Sequence, residues 1–130
     1  MRSLLLLAAG LWLGSLTGCK DETPQIACYS GTVIGTTCMD GVLIEVSSAT
    51  PIGRPVRVYQ TYRDSIVGTN VVAAINDLGS LAQKGQTVFF TYQDSPNNQG
   101  PLHFCPQNTG KLPIPHLLLA NISATSCAGE

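Results

Sequence analysis

Cysteines, histidines and one cluster of arginines with tyrosines are the residues of this chain whose types could do chemistry. Setting Cys19 aside for the leader described below, Cys28, Cys38, Cys105 and Cys127 form an even set. In an exported domain such a set suggests two disulfides, with three possible pairings. A zinc site would need a close cysteine pair, and the nearest spacing is ten residues, from Cys28 to Cys38. Disulfides are therefore expected, and no metal. His103 and His116 are flanked by apolar residues and prolines and lack an evident partner, so both read as structural histidines at a strand edge or loop. Ser30, Ser65 and Ser95 have no Gly-x-Ser-x-Gly context. The acids are scattered singly, and Gly31 and Gly35 lie in a strand pattern rather than a phosphate loop. No enzyme activity and no cofactor are expected. Arg54, Arg57 and Arg63 with Tyr59 and Tyr62 form the one mixed basic–aromatic cluster. Arg57, Tyr59 and Tyr62 are the candidate ligand-binding residues.

The start of the chain carries a second kind of chemistry. Met1-Arg2 precedes an apolar run from Leu4 to Leu13, and Gly14-Ser-Leu-Thr-Gly18 closes it. This is the layout of an export signal, and the apolar part is shorter than the roughly 20 residues a spanning helix needs. The tetrapeptide Leu16-Thr17-Gly18-Cys19 resembles the bacterial lipobox. The resemblance implies a diacylglyceryl group on the Cys19 thiol, cleavage before that cysteine and acylation of its new amine. Several acyl chains anchor firmly, at about 0.8 kcal/mol per buried methylene. Residues 1–18 are then a lipoprotein signal peptide, 19–25 a lipidated cysteine and tether, and 26–130 the folded domain. Lys20 rather than an acid follows the cysteine, which favours the outer over the inner membrane. The tether would reach only about 20 Å when extended, at roughly 3.3 Å per residue.

Removing the leader from the 130-residue chain leaves 112 residues, enough for one domain. That part holds six basic residues against eight acids, a formal charge of −2, with no basic stripe. Nucleic acid is not an expected partner on this balance. Trp12 lies in the leader, so the rest of the chain has no tryptophan.

The elements that must position these residues read as β. Thr32-Val-Ile34 begins a strand in which Gly35 predicts a bulge, and Asp40-Gly41 is a hairpin signal. Val42, Ile44 and Val46 then share one face, while Leu43, Glu45 and Ser47 share a wetter one. Val56 to Tyr59 is a short strand with both valines inward. Tyr62 to Asn70 is polar and turn-rich, and Val71 to Ala74 apolar again. Asn76-Asp77 could cap a short helix through Leu78, Leu81 and Ala82, stopped by Gly85. "TVFFTYQD" alternates clearly, with Val88, Phe90 and Tyr92 on one face. In the closing strand, Leu118, Ala120, Ile122 and Ala124 are expected to face the core.

Five strands with one small helix before the fourth predict an all-β fold, a small five-stranded OB-like Greek-key barrel, with a sandwich as the alternative. "GTVIGTTCMDGVLIEV", "LAQKGQTVFFTY" and "ANISATSC" resemble a group of small uncharacterised lipoproteins of Bacteroidota-like bacteria. The resemblance implies an OB-like barrel and supplies no activity. In that strand order the first and fourth strands are antiparallel neighbours, and the fifth returns antiparallel to the fourth. The pairing expected from it is Cys28–Cys105 and Cys38–Cys127. The expected protein is a monomeric, lipid-anchored envelope module with a binding or structural role toward an envelope protein or glycan. An oligosaccharide or small-ligand binder is the alternative, and an envelope enzyme the least favoured reading.

Overall fold

A computed structural model describes residues 26–61, 64–107 and 109–127. The leader, Leu16, Thr17, Gly18, the anchor residue Cys19, the tether and the candidate ligand residue Tyr62 lie outside the described residues. Six strands follow in order: β1 (Tyr29–Thr37), β2 (Gly41–Ser47), β3 (Arg54–Thr61), β4 (Asp64–Ala74), β5 (Thr87–Asp94) and β6 (His116–Ser123). The all-β expectation holds, with one strand more than the sequence predicts.

Their hydrogen bonding runs in a ring. β1 pairs with β2 and β5, β2 with β4, β4 with β6 and β6 with β5, while β3 pairs with β4. All pairings are antiparallel except β4–β6, where Ala73 meets His116 and Ala74 meets Leu117. The β1–β2 hairpin turns at Cys38–Asp40, and Gly41 takes the positive φ of 89° that closes it. The predicted bulge lies between Val33 and Gly35, where the ladder to β2 shifts register.

Two cores result. Inside the ring, Val33, Val42, Ile44, Val46, Val72, Val88, Phe90, Leu117 and Leu119 pack together. The second core joins Leu43, Val56, Ile66, Val71, Ala73 and Ile114. Leu43 is fully buried, which corrects the reading of its face as the wetter one. The cause is β4. Its second half pairs with β2, its first half pairs with β3, and Ile66 and Val56 then cover the outer side of β2.

The segment 64–70 is therefore strand, not the turn-rich connection its polar residues suggest. Glu45 explains why it tolerates such a sequence. Its carboxylate accepts the backbone N–H groups of Thr69 and Asn70 and the Thr69 hydroxyl at 2.9–3.3 Å. A Cβ at Gly68 would collide with that carboxylate and with Val71. Asn70 is itself buried, donating to the Val46 carbonyl at 2.9 Å and accepting from Gly53 N–H at 2.7 Å.

The short helix is a single 3-10 turn, Gly79–Ala82, which no side chain caps through its N-cap residue Leu78. Asp77 instead accepts the Gly79 N–H at 2.8 Å. Asn76 pairs with both backbone groups of Leu119 at 2.9 and 3.0 Å, extending the contact between β4 and β6. In β6 the expected inward set is reversed. Leu117 and Leu119 are buried, Leu118 is exposed, and so are Ala120 and Ala124; only Ile122 packs against the core. A register shift against β5 and the positive φ of Asn121, 51°, break the alternation there.

The four cysteines form two disulfides, as expected, but with another of the three pairings: Cys28–Cys127 and Cys38–Cys105. This corrects the expected Cys28–Cys105 and Cys38–Cys127. Strand direction alone misleads because closing a ring of tilted strands staggers their ends. Phe89 of β5 stands opposite both Ser30 and Ser123, so the end of β6 is level with the start of β1. Around the other side, Asp94 meets Leu117, Leu117 meets Ala74, Ala74 meets Val42 and Val42 meets Thr36. The end of β5 is thus level with the end of β1, which brings Cys105 to Cys38.

Candidate binding site

The Cys38–Cys105 bridge ties the β1–β2 hairpin to the long connection between β5 and β6, residues 95–115. Beneath it lies a polar tie that the sequence reading misses. Asp40 is fully buried, and each of its carboxylate oxygens is used. Oδ1 accepts the Leu112 N–H and bonds His116 Nε2, both at 2.8 Å. Oδ2 accepts the Thr37 hydroxyl at 2.6 Å, and Thr37 Oγ1 in turn accepts the Asp40 N–H at 3.2 Å. The Nε2–H tautomer of His116 satisfies this geometry, leaving a buried Nδ1 without a hydrogen-bond partner. Asn98 completes the tie by accepting the His116 N–H at 2.7 Å and donating to the Ile114 carbonyl at 3.2 Å.

His116 is therefore not a strand-edge or loop histidine without a partner; it opens β6 with a buried ring bound to Asp40. The trio of Thr37, Asp40 and His116 has the residue types of a catalytic triad but not its order. In a nucleophilic triad the histidine bonds the hydroxyl. Here the carboxylate stands between them, and a substrate would find both the acid and the imidazole buried. The arrangement fastens three elements together.

Above this tie is a cleft of about 250 Å³ bordered by Thr37, Asp40, Val58, Tyr59, Gly110 and Leu112. Strand β3 supplies Val58 and Tyr59. Val56 is buried and Val58 packs against the second core, as expected, so Arg57 and Tyr59 point outward, and Tyr59 is 72% exposed. Tyr59 borders the cleft while Arg57, also exposed, does not. Of the proposed trio's described residues, Tyr59 alone borders the cleft. Its volume lies below the roughly 300–1,000 Å³ typical of pockets that enclose a drug-sized ligand. A single sugar ring or one side chain of a partner fits that scale.

The other histidine, His103, is exposed, and its Nε2–H donates to the Cys38 carbonyl at 2.5 Å. On either side of it, Leu102 and Phe104 are fully exposed. Arg54 lies apart, beside Asn98 and Pro113. The distant tie from Asp40 to His116 gave no local sequence signal, because Asp40 also reads as an ordinary turn former before Gly41. No family model matches this chain, and no curated protein or solved structure matches it either.

Proposed function

We propose that the chain is a lipid-anchored module of the bacterial cell envelope, held to the outer membrane through Cys19, whose domain binds or supports an envelope partner without turning over a substrate. The observation that carries the binding half is the meeting of the β1–β2 hairpin and the β5–β6 connection at one cleft beside the exposed Tyr59. We read the ring as an OB-like Greek-key barrel. The antiparallel neighbours β1 and β5, with β6 returning antiparallel to β5, support that reading. In this assignment β4 is the third barrel strand and β3 an added one. OB barrels bind through the loops that these two connections would represent.

The export half rests on the lipobox, and two disulfides in so small a domain suit an oxidising compartment. A glycan-binding reading stands second, favoured by an exposed tyrosine beside a cleft on the scale of one sugar ring. The test is Cys19→Ser, followed by detergent partition and intact mass. The variant is expected in the aqueous phase without the mass of acyl chains. A variant that stays membrane-bound with unchanged mass overturns the anchored module.

A further inference from the structure

The corner built by Cys38 and Cys105 holds a third group with metal-ligating chemistry. The sulfurs of both cysteines and a ring nitrogen of His103 all lie within 4.8 Å of one another. Two thiolates and one imidazole are a ligand set for zinc, which is tetrahedral with Zn–S near 2.3 Å and Zn–N near 2.0–2.1 Å. Such a geometry sets the sulfurs about 3.8 Å apart, a spacing that side-chain rotation can reach from this starting point. In the oxidised molecule the sulfurs are bonded to each other and offer no thiolate.

We propose that reduction of the Cys38–Cys105 bridge turns this corner into a Zn²⁺ site, held by the two thiolates and His103 with a fourth position open to solvent. Three observations carry it. First, the His103 ring is already held at the bridge, its Nε2–H donating to the Cys38 carbonyl. Metal-bound histidines usually donate their other N–H in this way, which fixes the ring and its tautomer. Second, the hairpin turn and the β5–β6 connection are also tied by hydrogen bonds beside the covalent one. Asp40 Oδ1 accepts the Leu112 N–H at 2.8 Å, and His116 Nε2 bonds the same oxygen at 2.8 Å. Third, both sulfurs belong to half-buried residues, so a reductant can approach either one, whereas the other bridge offers only half-buried Cys28, its partner Cys127 being 3% exposed.

The chemistry balances with a dithiol as reductant. One of its thiolates attacks a bridge sulfur, the mixed disulfide is resolved by its second thiol, and the reductant leaves as a disulfide. Two electrons and two protons have passed to Cys38 and Cys105. Zinc then displaces both thiol protons to solvent. The bridge is a staple when oxidised and a metal site when reduced.

The experiment uses the full lipidated chain in detergent, with the dithiol dithiothreitol to open the bridge and then removed. Zn²⁺ affinity is measured by competition with a chromophoric chelator. Alkylation with mass mapping shows which thiols the metal protects. The oxidised chain is expected to bind no stoichiometric zinc, and the reduced chain one ion that protects Cys38 and Cys105. His103→Ala should weaken binding by at least the 10–100-fold that loss of an orienting partner causes, and Cys28→Ser with Cys127→Ser should leave it in place. Absence of binding after reduction overturns the proposal, as does equal affinity in His103→Ala. Protection of Cys28 and Cys127 instead overturns it even if the serine variants fail to fold.

Discussion

The two disulfides make the same bond in opposite surroundings. Cys28–Cys127 lies where β1 begins, among aromatic residues: Tyr29 stacks on Phe90 with centroids 6.1 Å apart and meets Tyr92 at 5.3 Å. Partial burial of Tyr92, then the nearby Tyr29 and Asp94, raises its hydroxyl pKa above the ordinary tyrosine value. Cys38–Cys105 lies instead over a polar tie, beside the exposed Leu102, His103 and Phe104. The first bridge joins the segment before β1 to the segment after β6. The second holds two connections in place over a cleft, where hydrogen bonds share the task.

That difference sets the expected costs. The loops closed span 99 and 67 residues in sequence, which on chain entropy alone separates the bridges by only a few tenths of a kcal/mol. Burial of Cys127 adds the cost of leaving a polar serine hydroxyl in its place. Cys28→Ser with Cys127→Ser is therefore expected to cost about 5 kcal/mol, and Cys38→Ser with Cys105→Ser about 3 kcal/mol, within the range for native disulfides. Urea unfolding of the two double variants checks this, and the reverse order would undo the division of labour.

A smaller effect sharpens the polar side of the comparison. Asp40→Ala leaves the Leu112 N–H, the His116 ring and the Thr37 hydroxyl without their acceptor, at about 2–3 kcal/mol. Asp40→Asn keeps one acceptor oxygen and should cost about 1 kcal/mol less. Equal, negligible losses in both variants would show that the disulfide alone holds this corner.

How far the sequence reveals this arrangement differs by element. Val42, Ile44 and Val46 alternate with a period of two, so the inner face of β2 was legible, and so was the bulge at Gly35. The outer face was not, because Leu43 is buried by a partner strand whose first half is polar. Serine, threonine and asparagine over 65–70 look like a turn until the Glu45 carboxylate satisfies that stretch of backbone. Leu117 to Ala120 is continuously apolar, so it carries no parity that would mark which face is buried. The four bridging cysteines were legible as a set, but their pairing depends on stagger between strands, which local pattern does not encode. At the cleft, the outward position of Tyr59 was legible from the inward alternation of Val56 and Val58. Asp40 and His116 were missed because 76 residues separate them.

The most direct test of the contrast between the bridges is graded reduction of the full chain under native conditions. Free thiols are trapped by alkylation and mapped by mass at each reductant concentration. Cys38 and Cys105 are expected to label together and first, with Cys28 and Cys127 labelling together only at higher reductant or on unfolding. Simultaneous labelling of all four, earlier labelling of Cys28 and Cys127, or a bridge joining Cys28 to Cys105 would contradict the account.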